Sequence, residues 1–230
     1  MILTGPKIRS EVSRGRQEVA DGAMKLVRNL CKHEPVTTMD RIHIDPYDPA
    51  LVGPNSVDLR LGDRLLVYEG VVKRFRRDAL SPTEPPPEEN PVYAEGGPQP
   101  LDMRKENPTF ELPIPENGIV LRPGILYLGT TIECIGSNAF VPIVEGRSSI
   151  GRLGLHVHVT AGFCDLGFKG QITLEIHVIH PIRVYAGIPI CQAYFLTPEG
   201  AIELYKGRYQ DQENGPVASR IHISNTDGRG

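Results

Sequence analysis

Glycine and proline set the first limit on this 230-residue chain: 24 Gly and 21 Pro break its apolar residues into short runs. A helix needs ten or more uninterrupted residues with a 3.6-residue period, whereas strands of four to eight residues tolerate frequent punctuation. The runs at 64–68, 125–133, 139–145, 171–179, 182–185 and 188–196 are rich in β-branched and aromatic residues and bounded by Gly, Pro or Asn. Each predicts a strand. Several at such close spacing predict a mainly β fold, a sandwich or a barrel.

Helical signals are confined to the first third. Residues 6–14 make a short amphipathic stretch, and within 17–32 Val19, Ala23, Met24, Val27, Leu30 and Cys31 fall near helical spacing, interrupted by Gly22. The segment 79–99 is dense in Pro, Glu and Gly and predicts an exposed loop within one domain spanning 1–230. The tail 206–230 is polar; two readings stand for it, a cover that orders over a ligand or a frayed end.

Composition removes several function classes. Net charge is -3, so a polyanionic ligand must be met by a few local Arg and Lys residues, and no nucleic-acid track is expected. No apolar run approaches the roughly 18 residues of a membrane helix, and the first residues lack an apolar signal core, which points to a cytoplasmic protein without membrane attachment. Cys31, Cys134, Cys164 and Cys191 are widely spaced and form no C-x-x-C pair, so buried free thiols are expected.

Polar groups in an apolar setting are densest over 145–175. Arg147, Ser148, Ser149 and Arg152 lie between Gly146, Gly151 and Gly154, a mixture of hydroxyls, guanidiniums and close-approach glycines that suits phosphate, and equally suits a solvated turn. Glu175 sits in the strand-like run ITLEIHVI. A carboxylate with apolar neighbours is costly unless paired, and burial raises its pKa towards the range useful for proton transfer. A structural ion pair with Arg147 or Arg152 is the competing reading. Asp165 suits a sugar hydroxyl or a water, or simply caps a turn. His156 and His158 alternate with apolar residues on one strand face; no third metal ligand is evident nearby, so no metal site is expected.

The run GRSSIGRLGLHVHVTAGFCDLGFKGQITLEI resembles the signature block of the dCTP deaminases, within the trimeric dUTPase superfamily. MILTGPKIRSEVSRGR, VGPNSVDLRLGDRLLVY, PIRVYAGIPICQAYF and YKGRYQDQENGPVASRIH resemble that family's opening, its later strand pair and its phosphate-covering tail. The resemblance implies a distorted β-barrel of the dUTPase type with short N-terminal helices, assembled as a homotrimer with shared active sites. It implies that Glu175 shuttles a proton between water and the pyrimidine while Ser148 and Arg152 bind and polarise the water and the base. Backbone from Val159 to Ala161 would read the cytosine edge, supported by His158. Arg147 and Ser149 would contact phosphates, Asp165 the deoxyribose and a water, and Thr173 and Leu174 the sugar. Gln192, Tyr205 and Gln212 would hold the triphosphate, with Arg208 standing where the family commonly has Lys. Magnesium would ride on the phosphates.

The zinc-dependent deaminases use H-x-E and P-C-x-x-C; neither occurs here, so zinc is not expected. The chain departs from the family in an added segment over 17–40, in Leu166 where Pro is usual, and in a short HVIHPI connection. Thr160-Ala161-Gly162-Phe163 is similar to members that release dUMP directly, where other members carry His-Arg after Thr-Ala. The expected activity is hydrolytic deamination of dCTP to dUTP, continuing in such members to dUMP and pyrophosphate. A dUTPase acting on the phosphates alone, and a non-catalytic nucleotide-binding regulator, are the alternatives.

Overall fold

A computed structural model describes residues 1–12, 41–69, 100–158 and 161–223. The expected helical insertion at 17–40, the loop at 79–99, Cys31 and Val159 lie outside the described residues. Residues 5–12 form helix α1, close to the amphipathic stretch expected at 6–14. Eleven strands follow among the described residues: β1 (His43–Asp45), β2 (Val57–Arg60), β3 (Arg64–Tyr68), β4 (Thr109–Pro113), β5 (Ile119–Leu121), β6 (Tyr127–Gly136), β7 (Val141–Gly146), β8 (Leu155–His156), β9 (Lys169–Val178), β10 (Ile182–Val184) and β11 (Pro189–Leu196). A single helical turn, α2 (Ser148–Gly151), interrupts the series after β7.

All six expected strands are present, with ends shifted by up to three residues. The five that were not expected are two to five residues long. Three sheets result. The largest runs β4-β3-β6-β9-β8 with β1 also on β6, the second is β2-β11-β7, and the third pairs β10 with β5. The mainly β class is as expected. Hydrogen bonding does not close these sheets into one barrel among the described residues; their shared apolar core joins them instead, with Leu59, Leu65, Tyr127, Leu174, Ile176, Ile190 and Phe195 fully buried. No helix among the described residues is long and apolar enough to cross a membrane.

The β6–β9 ladder organises the core. Along β9, Ile172, Leu174, Ile176 and Val178 are buried while Gln171, Thr173, Glu175 and His177 are half-exposed on the other face. The register slips between Thr130 and Cys134, where β6 bulges. Side chains repair the lost ladder bonds: Thr131 Oγ1 accepts from Ile172 N (2.9 Å) and donates to the Glu133 carbonyl (2.7 Å), and Gln171 Nε2 donates to the Ile132 carbonyl (3.3 Å).

Within that bulge Glu133, only 1% exposed, meets Arg60 through the guanidinium Nε (2.6 Å) and the backbone N–H (2.8 Å). A buried carboxylate is tolerable only with such partners. Arg60→Ala strands the charge and should lower unfolding free energy by about 3 kcal/mol, measured by urea denaturation. A loss well under 1 kcal/mol would mean that water reaches Glu133.

Candidate active site

One cavity of about 500 Å³ gathers residues from four parts of the chain: Tyr68 of β3, Leu126 and Leu128 at the start of β6, the loop 161–168, and Gln171, Thr173 and Glu175 of β9. The tail closes it with Tyr205, Tyr209, Gln212, Val217 and Ser219. The topology explains this gathering. β6 lies along one edge of β9; along the other, β8 pairs with His177 and Val178, and Gln212 bridges to Gly170. Thr173 and Glu175 fall between those contacts.

Glu175 pairs in register with Leu128. Burial pushes its carboxyl above the usual glutamate range, an effect that the nearby His158 partly offsets. His158 itself donates from Nε2 to the Val144 carbonyl at 2.7 Å. Gly162 makes that bond possible: Gly162 O accepts from Val144 N at 2.7 Å, and a Cβ on Gly162 would collide with the Val144 carbonyl oxygen and come within 3.0 Å of His158 Nε2. The two-residue β8 ends at His156, so the two histidines do not share a strand face as the alternation suggested. His156 is exposed and stacks on His177, with ring centroids 4.6 Å apart, while His158 turns towards the carboxylate.

Of the residues marked in the sequence, Glu175, Ala161, Asp165, Thr173, Tyr205 and Gln212 line the cavity. Leu174 does not: at 0% exposure its side chain is in the core, so only its backbone flanks the site. Gln212 is itself buried, and its amide donates to Thr173 Oγ1 (2.7 Å) and to the Gln171 carbonyl (2.9 Å), which makes it the tail's anchor on β9. Gly170 permits that approach, since a Cβ there would lie 2.8 Å from Gln212 N at a φ of 156°.

A second group lies apart from this chain's own cavity. Arg147 is ion-paired with Asp58 (2.9 Å) and donates to the Pro189 carbonyl (3.0 Å). Neither it nor Arg152 pairs with Glu175. Ser148, Ser149 and Arg152 are exposed on and just after the α2 turn, where the GRSSIGR run suits either a phosphate site or a solvated turn. Gln192 accepts from Ser56 and donates to the Gly146 carbonyl on the β2-β11-β7 sheet. Arg208 is held in the tail, its Nη1 on the Arg220 carbonyl.

Sequence reasoning missed Tyr68, Phe163, Phe168, Tyr209, Val217 and Ser219 as walls of the cavity. Aromatic residues next to glycines were the available signal; nothing in their spacing marked Tyr68, which is distant in sequence. Cys164 also lines the cavity, and burial pushes its thiol up to about 12, so it stays protonated. Among the described residues, no three His, Cys, Asp or Glu side chains come together as a metal site.

A family model described as dCTP deaminase-like matches residues 32–197. The chain belongs to the dCTP deaminase family. A Leptospira biflexa protein named as a dUMP-forming dCTP deaminase is 49% identical over 170 residues, covering 74% of this chain and 82% of that one. Proteins of the same name from Cytophaga hutchinsonii and Hathewaya histolytica are 48% and 44% identical, each again covering 74% of this chain and 82% and 83% of their own. Among solved structures, the 2'-deoxycytidine 5'-triphosphate deaminase of Agrobacterium tumefaciens is a distant likeness, at TM-score 0.47 and 19% identity over 84% of this chain and 46% of that one. The family match ends at residue 197, so the tail that closes the cavity lies beyond it.

Because burial raises the Glu175 carboxyl, the folded state keeps a proton that the unfolded state releases just above the ordinary glutamate pKa. Stability on this account is fullest below that range and is lost as pH rises through the folded value. Glu175→Gln removes the titration, so its melting temperature should exceed the parent's at about pH 8 and converge with it near pH ~4. A gap that widens on acidification would mean the carboxyl is stabilised in its charged form. Gly162→Ala should cut turnover at least about tenfold by displacing the Val144 carbonyl and the His158 ring, read by steady-state kinetics beside a melting curve.

Proposed function

We propose that the chain deaminates dCTP hydrolytically and carries the product on to dUMP and pyrophosphate. The observation that supports this best is a half-buried carboxyl of raised pKa, Glu175, lining a cavity closed by the chain's own tail. Glu175 takes a proton from water as the water oxygen attacks C4 of cytosine, and passes it to N3. Glu175 then takes the proton of the new C4 hydroxyl and delivers it to the exocyclic nitrogen, so that the C4–N4 bond breaks, ammonia leaves and C4=O forms. One carboxyl can serve both steps, because burial raises its pKa above the usual glutamate range and so makes it a better proton acceptor that can hand the proton on.

The second step, water attack at the α-phosphate, fits the relatives' names and the Ala161-Gly162-Phe163 passage. Asp165 is exposed in the cavity wall, where it can orient that second water. Magnesium would enter as counter-ion carried by the triphosphate itself. A dUTPase acting on the phosphates alone gives no reason for a destabilised carboxyl facing the base.

The complete site is shared between subunits of a trimer in this reading. Ser148, Ser149 and Arg152 are exposed and outside this chain's own cavity, so a neighbour would present them to it. Exposed apolar Leu153 and Ile179 beside α2 and β9 suit such a contact.

Two experiments test these steps. Incubation with dCTP and magnesium, followed by product separation, should yield dUMP and pyrophosphate with little free dUTP. Accumulating dUTP would leave deamination standing and remove the second step. Glu175→Gln and Ser148→Ala should each lower deamination by at least about a hundredfold. Mixed and reassembled, the two inactive variants should regain activity, because some sites then carry both intact residues. Failure of the mixture, with assembly verified, would place Ser148 and Glu175 in the same subunit's site.

A further inference from the structure

A triphosphate needs cations, yet among the described residues no Lys or Arg lines the cavity of this chain. The nearest basic groups by bonding are in the tail. Arg208 Nη1 donates to the Arg220 carbonyl (2.9 Å), and Arg220 Nη1 donates to the Arg208 carbonyl (2.8 Å). The backbone N–H of Arg220 donates to the hydroxyl of Tyr209 (2.9 Å), and its neighbour Ser219 donates its N–H to Tyr68 Oη (3.0 Å). Tyr68, Tyr209 and Ser219 all line the cavity, so the backbone at Ser219 and Arg220 is tied to its walls. A guanidinium has five N–H donors, so its contact with one carbonyl leaves Arg220 with donors to spare.

We propose that Arg220 is a phosphate-binding residue, acting with Arg208 as a two-guanidinium clamp on the triphosphate end of the nucleotide. This rests on the nucleotide reading of the cavity and adds to it a residue that the sequence did not mark. The reciprocal carbonyl contacts hold the clamp in shape; phosphate oxygens take up the remaining donors of Arg220, and the tail tightens over the ligand. Recognition by Arg rather than Lys suits this place, because a planar fork can hold a carbonyl and a phosphate oxygen at once.

The test is equilibrium dialysis of the full chain in a Glu175→Gln background, so that nucleotide is not consumed, with dCTP, dCMP and deoxycytidine. Arg220→Ala should weaken dCTP by about tenfold or more, dCMP by less, and deoxycytidine not at all. It should also lower the salt dependence of dCTP binding by about one charge. Arg220→Gln keeps a donor for the Arg208 carbonyl without the charge, and should behave as Arg220→Ala does. Equal weakening of all three ligands, or normal dCTP binding by Arg220→Gln, would show that Arg220 only closes the tail and would overturn the proposal. If the background chain bound no dCTP, the deaminase reading would fall, and the clamp with it.

Discussion

The pairing of β6 with β9 is the contact on which the rest of the molecule depends. It buries Leu174 and Ile176 on one face and holds Gln171, Thr173 and Glu175 on the other, so a single ladder supplies both core and chemistry. The bulge between Thr130 and Cys134 could have weakened it. Thr131 and Gln171 bond across the gap, and Glu133, turned inward by the bulge, is met by Arg60. Side chains thereby take over backbone bonds that the bulge removes, as a buried sheet requires.

The same ladder fixes the chemical state of Glu175. A carboxylate on an open strand face would titrate normally; here β6, the 161–168 loop and the tail all exclude water from it. The tail's attachment is equally dependent on β9, since Gln212 and Val217 both bond to Thr173 Oγ1. The Glu175 carboxyl and the tail's anchor at Thr173 are two residues apart on one strand, so any slip in register would move both together.

How legible was this in the sequence? The six strands with sustained β-branched runs were, because alternation and punctuation are local properties. So was Glu175, as a charge placed where charges are expensive. The short strands β1, β2, β4, β5 and β8 were not, because pairing rather than propensity holds them. The histidine reading shows how such inference fails: alternation put His156 and His158 on one face, but β8 ends at once, and the close approach of Gly162 to Val144 turns His158 inward.

By itself, then, the sequence determined the mainly β class, the positions of six of the strands, the family and the unusual placing of the Glu175 carboxyl, since each of these rests on residue type and spacing along the chain. The tertiary structure alone decided which polar residues meet. It placed Arg147 on Asp58 rather than on Glu175, left Ser148 and Arg152 exposed outside the chain's own cavity, and made Gln212 an anchor for the tail. It also joined Arg208 to Arg220 across the tail, beside a cavity that Tyr68 helps to wall from far away in the chain. Contacts between residues that are distant in sequence follow from strand register and backbone approach, and neither is written in any local pattern.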